Sequence, residues 1–355
     1  MLDHQFWHDK ILPFTKKSNG IAAMQMIVTF IPYALLWFAY SQLIEISFWL
    51  VIPFSVVTSL FVLRFFVLMH DCGHGAAFKS KSANRIVGFF LGVITGLPQF
   101  VWSKNHAYHH STNGDWVKYG GVFDIITVGD YAELSEKRKR NYWRFRQPFI
   151  LFPAGVFYVL INPRFNWMAG NLTMLLKIIR SLFKFDLTHT IAITKNWETK
   201  YWKSKKDYLH MTYNNLVLIS IWFVMCNAIG TFEFFAFYVL TCALYGSMGI
   251  LLFTIQHNFE NSYATDTVRV NHYKAALEGT SYLVLPKILN WFTANIAYHH
   301  LHHISIAIPN YRLAACHHEL ENHFKDVTRV TLGDLLGTFK YQLWDPETEK
   351  VVLRP

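Results

Sequence analysis

Charge is what this sequence has least of. Asp, Glu, Lys and Arg make up only 16% of its 355 residues, where an average soluble domain carries about 25%. Two soluble domains would fit the length. The charge shortage, beside 52% hydrophobic residues, points instead to one membrane-embedded body. Cysteine is scarce too. Cys72, Cys226, Cys242 and Cys316 show no C-x-x-C spacing and no paired framework, so neither a disulfide scaffold nor a thiolate metal motif is legible. The N-terminal MLDHQFWHDKILPFTKK lacks the order of basic region, apolar core and small-residue cleavage site, and no cleavable signal is expected. The formal charge is nevertheless +10. In a chain with long apolar runs, that excess points to anionic lipid headgroups and not to nucleic acid.

Those runs are the first positive feature. Four can cross ~30 Å of hydrocarbon at about 20 residues each: about 23–41, 47–69, 213–230 and 232–253. Pro32 is expected to kink the first without breaking it. Short links join the first to the second and the third to the fourth, giving two hairpins at about 23–69 and 213–253. Neither hairpin tip carries Lys or Arg. The N-terminal segment has Lys10, Lys16 and Lys17, and the stretch between the hairpins has KRKR (137–140) and WKSKK (202–206). The positive-inside rule therefore puts both termini and the middle segment in the cytoplasm. The expected fold is all-α and integral to a membrane, with four transmembrane helices and a cytoplasmic helical cap over about 70–212 and 254–355. Arg64, inside the second run, is expected to snorkel outward. The runs at 86–101 and 148–161 are short and are expected to be re-entrant or interfacial. An even number of spans is needed to keep the basic regions on one side.

Histidine is abundant, with eighteen in the chain. HDCGH (70–74) places His70 and His74 at i, i+4. HAYHH (106–110) places His106, His109 and His110 at i, i+3, i+4, and HHLHH (299–303) repeats this with His299, His302 and His303. On a helix such spacings share one face; His300 points about 100° away and is left out. Several buried imidazoles without partners are costly, and ionisable groups at membrane depth are functional by default. Eight imidazoles exceed one metal's capacity, so two metals with four or five nitrogen ligands each are expected. Imidazole suits Zn, Cu, Fe and Ni alike. Glu-x-x-His, the mark of carboxylate-bridged di-iron bundles, is absent. His257, in QHNFE just past the fourth run, is a ninth candidate. Gln256 and Glu260 are possible partners orienting an imidazole, with Asp71 and Asp115 weaker. His4, His8, His189, His210, His272, His317, His318 and His323 fall outside the pattern. Trp102 and Trp291 lie near boxes two and three and are expected to be core.

Three such boxes in this order, with two transmembrane hairpins, resemble the integral-membrane fatty acid desaturases. The resemblance runs from about 60 to 313 and includes YQLWDPETEKVV (341–352). HDCGH, QHNFE and NIAYHHLHHISIAIPNYRL are similar to the acyl-lipid branch, delta-12 (omega-6) type with its omega-3 relatives. The resemblance implies that His70, His74, His106, His109, His110, His257, His299, His302 and His303 bind two irons. It implies an O2-dependent dehydrogenation that inserts a cis double bond into the fatty acyl chain of a membrane lipid, O2 leaving as water. The chain has no HPGG haem motif, no G-x-G-x-x-G and no C-x-x-C. Electrons are therefore expected from a separate ferredoxin or cytochrome b5, steered to the basic cytoplasmic face. With no fused donor domain and no transit peptide, a bacterial inner membrane is the expected location. Two alternatives stay open. A hydroxylase or other oxygenase of the superfamily would use the same centre. A zinc or copper transporter or sensor would place its ligands near the bilayer midplane, whereas every box here falls at or beyond a cytoplasmic helix end.

Overall fold

The computed structural model describes residues 4–118, 125–185 and 187–353. Its long helices are α1 (Asn19–Leu43), α2 (Val51–Gly73), α3 (Lys81–Ile94), α4 (Gln99–Ser111), α5 (Pro148–Phe183), α6 (Lys205–Ile229) and α7 (Thr231–His257). The four expected spanning runs are α1, α2, α6 and α7. The Ser18 side chain caps the start of α1, accepting from the Ile21 N–H, and the helix continues through Pro32. Gly230, at φ 106°, joins α6 to α7 directly.

These helices are apolar on their outer faces and mix apolar with polar residues inside. Met24, Ile27, Phe30, Ile31, Leu35 and Phe38 of α1 are exposed, while Thr29, Ser55, Thr58, Ser59, Asn214, Asn215 and Thr241 are buried. An apolar exterior over buried polar contacts is what a hydrocarbon surround permits, because apolar surface costs nothing against lipid tails and polar groups serve as interhelical contacts. Among the described residues five helices are long and apolar enough to cross a membrane, or six spans if the bent pair α3–α4 counts as one; four are expected from the sequence. The fifth helix is α5, which contains the apolar run at 148–161 and extends well beyond it.

α5 does not pass straight from one end of the bundle to the other. Its Leu151 carbonyl accepts from Ser247, about three turns from the His257 end of α7. Its Trp167 Nε1 donates to Thr212 at 3.0 Å, about two turns from the start of α6. Between these points Arg164 reaches deeper, its guanidinium 5.8 Å from the Trp222 ring. The π-turn at Phe157–Ile161 and Pro163 lie at that inflection. Both limbs of α5 therefore lie at the histidine end of the bundle. α3 and α4 are likewise bent against each other by 102°. Gly96, at φ 73°, makes the turn; the Thr95 carbonyl accepts from the Tyr245 hydroxyl and the Gly96 carbonyl from Arg164.

Arg64 is a further correction. It does not snorkel to water. It is 2% exposed and bonded to Thr29 and to the Trp291 carbonyl. The region beyond α7 is not purely helical either. Short strands pair in parallel at Tyr282–Val284 and Arg329–Thr331, and Tyr341–Asp345 pairs antiparallel with Lys350–Leu353. The last two strands close over the end of α7: Val351 N–H donates to Ser262 and Ala264 N–H to Glu349.

Candidate metal centre

Four segments meet at one end of the bundle. The end of α2 supplies His70 and His74, α4 supplies His106, His109 and His110, the last residue of α7 is His257, and a short helix α8 (His299–Ile304) supplies the rest. The nine sort into two groups. His70, His74, His106, His110 and His302 form one, and His109, His257, His299 and His303 the other, with one ring nitrogen per residue lying within 4.8 Å of the others in its group. Each H-x-x-H-H box is thus divided between the groups, because neighbouring positions on a helix diverge by about 100°.

The spacing inside each group is that of shared ligation. His74 and His70 approach Nε2 to Nε2 at 3.3 Å, His110 and His106 at 3.0 Å, and His302 and His110 at 3.0 Å. In the second group His257 lies 3.2 Å from His109 and 3.0 Å from His299. Nitrogens about 2.1 Å from one cation stand roughly 3.0–3.4 Å apart in octahedral or tetrahedral arrangement. Chains of N–H···N bonds cannot replace the cation throughout, since a neutral imidazole has a single donor. His303 shows this most plainly: it is 2% exposed and neither of its ring nitrogens has a partner. Burial, and then the neighbouring imidazoles, push His74, His299, His302 and His303 well below the usual histidine range. They are therefore neutral at neutral pH, the state in which imidazole ligates. An all-nitrogen donor set with orphaned buried atoms fits a pair of borderline transition-metal ions.

The supporting contacts differ from those expected. Asp71 is buried, and its Oδ1 lies 3.3 Å from His70 Nδ1. Its Oδ2 accepts from the backbone and side-chain N–H of Asn310 at 2.7 and 2.8 Å. Asn310 also accepts, through its carbonyl, from Asn295 Nδ2. This network ties the first box to the turn before the third, and gives NIAY and IPNYRL their physical reason. The His257 ring bonds the Gly279 backbone. Gln256 orients no histidine; it donates to the Ile296 carbonyl. Glu260 is exposed and interacts with Tyr341. Asp115 is buried but accepts from Val117 and Lys118 in its own loop and from Thr267, not from a histidine. His300 lies apart from both groups, its Nε2 3.1 Å from His317 Nδ1. His8, His210, His272, His318 and His323 also lie outside both groups. The side chains of His4 and His189 are outside the described residues.

An apolar cavity of about 370 Å³ opens onto both groups. Phe66, Leu97, Tyr158, Leu252 and Phe253 line it, and His70, His106, His109 and His299 bound it. Trp102 also faces it. Its indole stacks on His106 at 4.7 Å and donates to the Tyr158 hydroxyl at 2.9 Å. Trp102 thus sets the ring plane of a cluster histidine, a role its sequence position did not reveal.

Comparison with known proteins follows the same lines. A family model described as fatty acid desaturase matches residues 47–331. A fatty acid desaturase of Bacillus subtilis (strain 168) is 32% identical over 345 residues, covering 97% of this chain and 88% of that protein. An sn-1 oleoyl-lipid 12-desaturase of Picosynechococcus is 21% identical over 312 residues, covering 88% of this chain and 79% of that protein. An sn-1 acyl-lipid omega-3 desaturase (ferredoxin) of Synechocystis is 31% identical over 98 residues, 26% of this chain and 25% of that protein.

Proposed function

Because the chain belongs to the fatty acid desaturase family, we propose that it is a di-iron enzyme inserting a cis double bond, of delta-12 (omega-6) type, into the acyl chain of a membrane lipid. The observation that carries this reading is the apolar cavity bounded by imidazoles of both histidine groups. An unactivated methylene held there would face both metals at once. Two 12-desaturases, each 21% identical and matched over 79% and 65% of their own length, support the position of the double bond.

His70, His74, His106, His110 and His302 would hold one iron, and His109, His257, His299 and His303 the other. Bound there, the irons supply the one-electron chemistry that activates dioxygen. The chain supplies the rest. Asp71 accepts from His70 Nδ1 and so presents Nε2 to the site. Trp102 and Tyr158 fix the His106 ring and one wall of the cavity. The apolar walls hold an acyl chain and exclude water. Reducing O2 to two waters takes four electrons. Two come from the two C–H bonds broken, and two from an external donor. A ferredoxin or cytochrome b5 meeting the basic cytoplasmic face fits this need, and one relative is named for ferredoxin. The Lys/Arg distribution supports a cytoplasmic position for both termini and the histidine end, and a bacterial inner membrane is the proposed location, in line with the Bacillus relative.

The test is expression in a bacterium without polyunsaturated lipids, with new double bonds located by mass spectrometry. Oleoyl chains converted to a 9,12-diene are expected. A hydroxylated chain as main product, with no new double bond, would overturn the desaturation chemistry. A new bond elsewhere would overturn only the delta-12 assignment. Metal analysis of the purified protein should return iron in both sites; zinc alone, with no oxygen-dependent activity after iron loading, contradicts the reading.

A further inference from the structure

Arg64 is buried without a counter-ion. Its Nε donates to Thr29 Oγ1 at 3.0 Å, its Nη1 to the Trp291 carbonyl, and the guanidinium lies 4.0 Å over the Trp291 ring. Among the described residues no Asp or Glu comes within ion-pair distance of it. Guanidinium keeps its charge in any protein environment, and a buried charge without an opposite partner is costly. A hydroxyl, a carbonyl and a ring face solvate it only in part.

The same Arg64 lines a groove of about 780 Å³ between the start of α1 and residues 287–298. Lys287, Gln25, Asn290 and Asn295 bring further polar groups to it, and Ile21, Met24 and Val28 form its apolar wall. Asn290 Oδ1 is buried with no partner; as an acceptor it can take a headgroup hydroxyl but not a phosphate oxygen. The groove lies at the histidine end of α1 and α2, where polar surface gives way to exposed apolar helix. Two cations, Arg64 and Lys287, beside an apolar wall at that height match a phosphate with acyl chains attached.

We propose that this groove binds the phosphate of a membrane glycerophospholipid, with Arg64 as its buried counter-ion and Lys287 at its outer edge. The site is separate from the acyl cavity: Asn295 and Tyr298 face the groove, whereas Ile296 and His299 face the cavity. It therefore stands whether or not the bound lipid is also the substrate.

Full-length protein in neutral detergent is titrated with phosphatidylglycerol, with diacylglycerol of the same chains, and with inorganic phosphate. Native mass spectrometry and the thermal unfolding midpoint are read. Phosphatidylglycerol is expected to bind and to raise the midpoint, and the other two are not. Arg64→Gln should weaken phosphatidylglycerol binding about tenfold or more, as loss of a charge-assisted contact does. Gly20 also lines the groove, and a Cβ there meets nothing within 4 Å. Gly20→Trp should therefore fill the groove without touching Arg64, and keeps the test open if Arg64→Gln does not fold. Undiminished binding to Gly20→Trp overturns the site. Equal binding of diacylglycerol overturns the role of phosphate, and equal binding of inorganic phosphate overturns the assignment to a lipid.

Discussion

His300 and His302 stand two positions apart and have different neighbours. His302 Nε2 meets His110 in the first metal group, while His300 pairs with His317 in an aromatic pocket with Phe324. His302→Ala should abolish product and lower bound iron while the protein stays in the membrane. His300→Ala should keep its iron and lose only stability, about 2–4 kcal/mol for a buried side chain left as a cavity. Iron content and unfolding midpoint, measured on both, separate the two cases; iron loss from His300→Ala would contradict the grouping. Asp71→Asn keeps the shape but removes the carboxylate facing His70 and Asn310. A fall in iron affinity or activity of about 10–100-fold is expected, measured by iron retention against a chelator. The ligand spacing was legible because helix geometry ties i, i+3 and i+4 to one face. The roles of Asp71 and Asn310 were not, because their contact joins residues 239 positions apart and no local pattern encodes it.

At the scale of elements, the cavity depends on how closely α5 and α7 approach. Gly155 and Gly246 lie at their crossing. A Cβ on Gly155 would stand 2.6 Å from the Ser247 nitrogen and 2.7 Å from the Ala243 carbonyl. Gly155→Val must push the helices apart, at a cost of about 1–3 kcal/mol for overpacking, and thermal unfolding should show it. Gly249, one turn on, is the opposite case. It lines the cavity, and a Cβ there meets nothing. Gly249→Leu should fold and bind iron normally yet convert long acyl chains poorly, since the added side chain occupies their space; unchanged turnover on an eighteen-carbon chain would remove this wall from the substrate path. The sequence marks α7 as a span but not α5 as its neighbour. Asn162, Pro163, Arg164 and Asn166 interrupt the apolar pattern, and the helix persists through them because Arg164 finds the Gly96 and Val159 carbonyls. That compensation is tertiary, so the run at 148–161 looked shorter than the helix that contains it.

For the whole molecule, the two histidine groups constrain how the chain is threaded. His70 ends α2, His257 ends α7, and both metal groups draw on α4 and α8, so α2 and α7 must finish on the same side of the bilayer. α3 starts beside the end of α2, and α4 ends in the groups, so this bent pair returns to the side it left. With α1–α2 and α6–α7 as hairpins, an even number of crossings remains between residues 74 and 205. α5 alone would make it odd. Its contacts with Ser247 and Thr212, both at the histidine end, agree with a helix that dips and returns. Among the described residues length and composition admit five spans, or six with the bent pair α3–α4 counted as one; the geometry of the site favours four, an even number as the basic clusters require. Single cysteines placed in a background with Cys72, Cys226, Cys242 and Cys316 replaced can decide between them. Glu45→Cys, at the first hairpin tip, should react with an impermeant maleimide only from the periplasmic face. Lys137→Cys and Lys184→Cys, which flank α5, should both react only in inverted vesicles. Labelling of Lys184→Cys from the periplasmic face, with Lys137→Cys protected there, would make α5 a true span. It would then put the α2 and α7 ends on opposite sides, which nine imidazoles converging from both cannot satisfy.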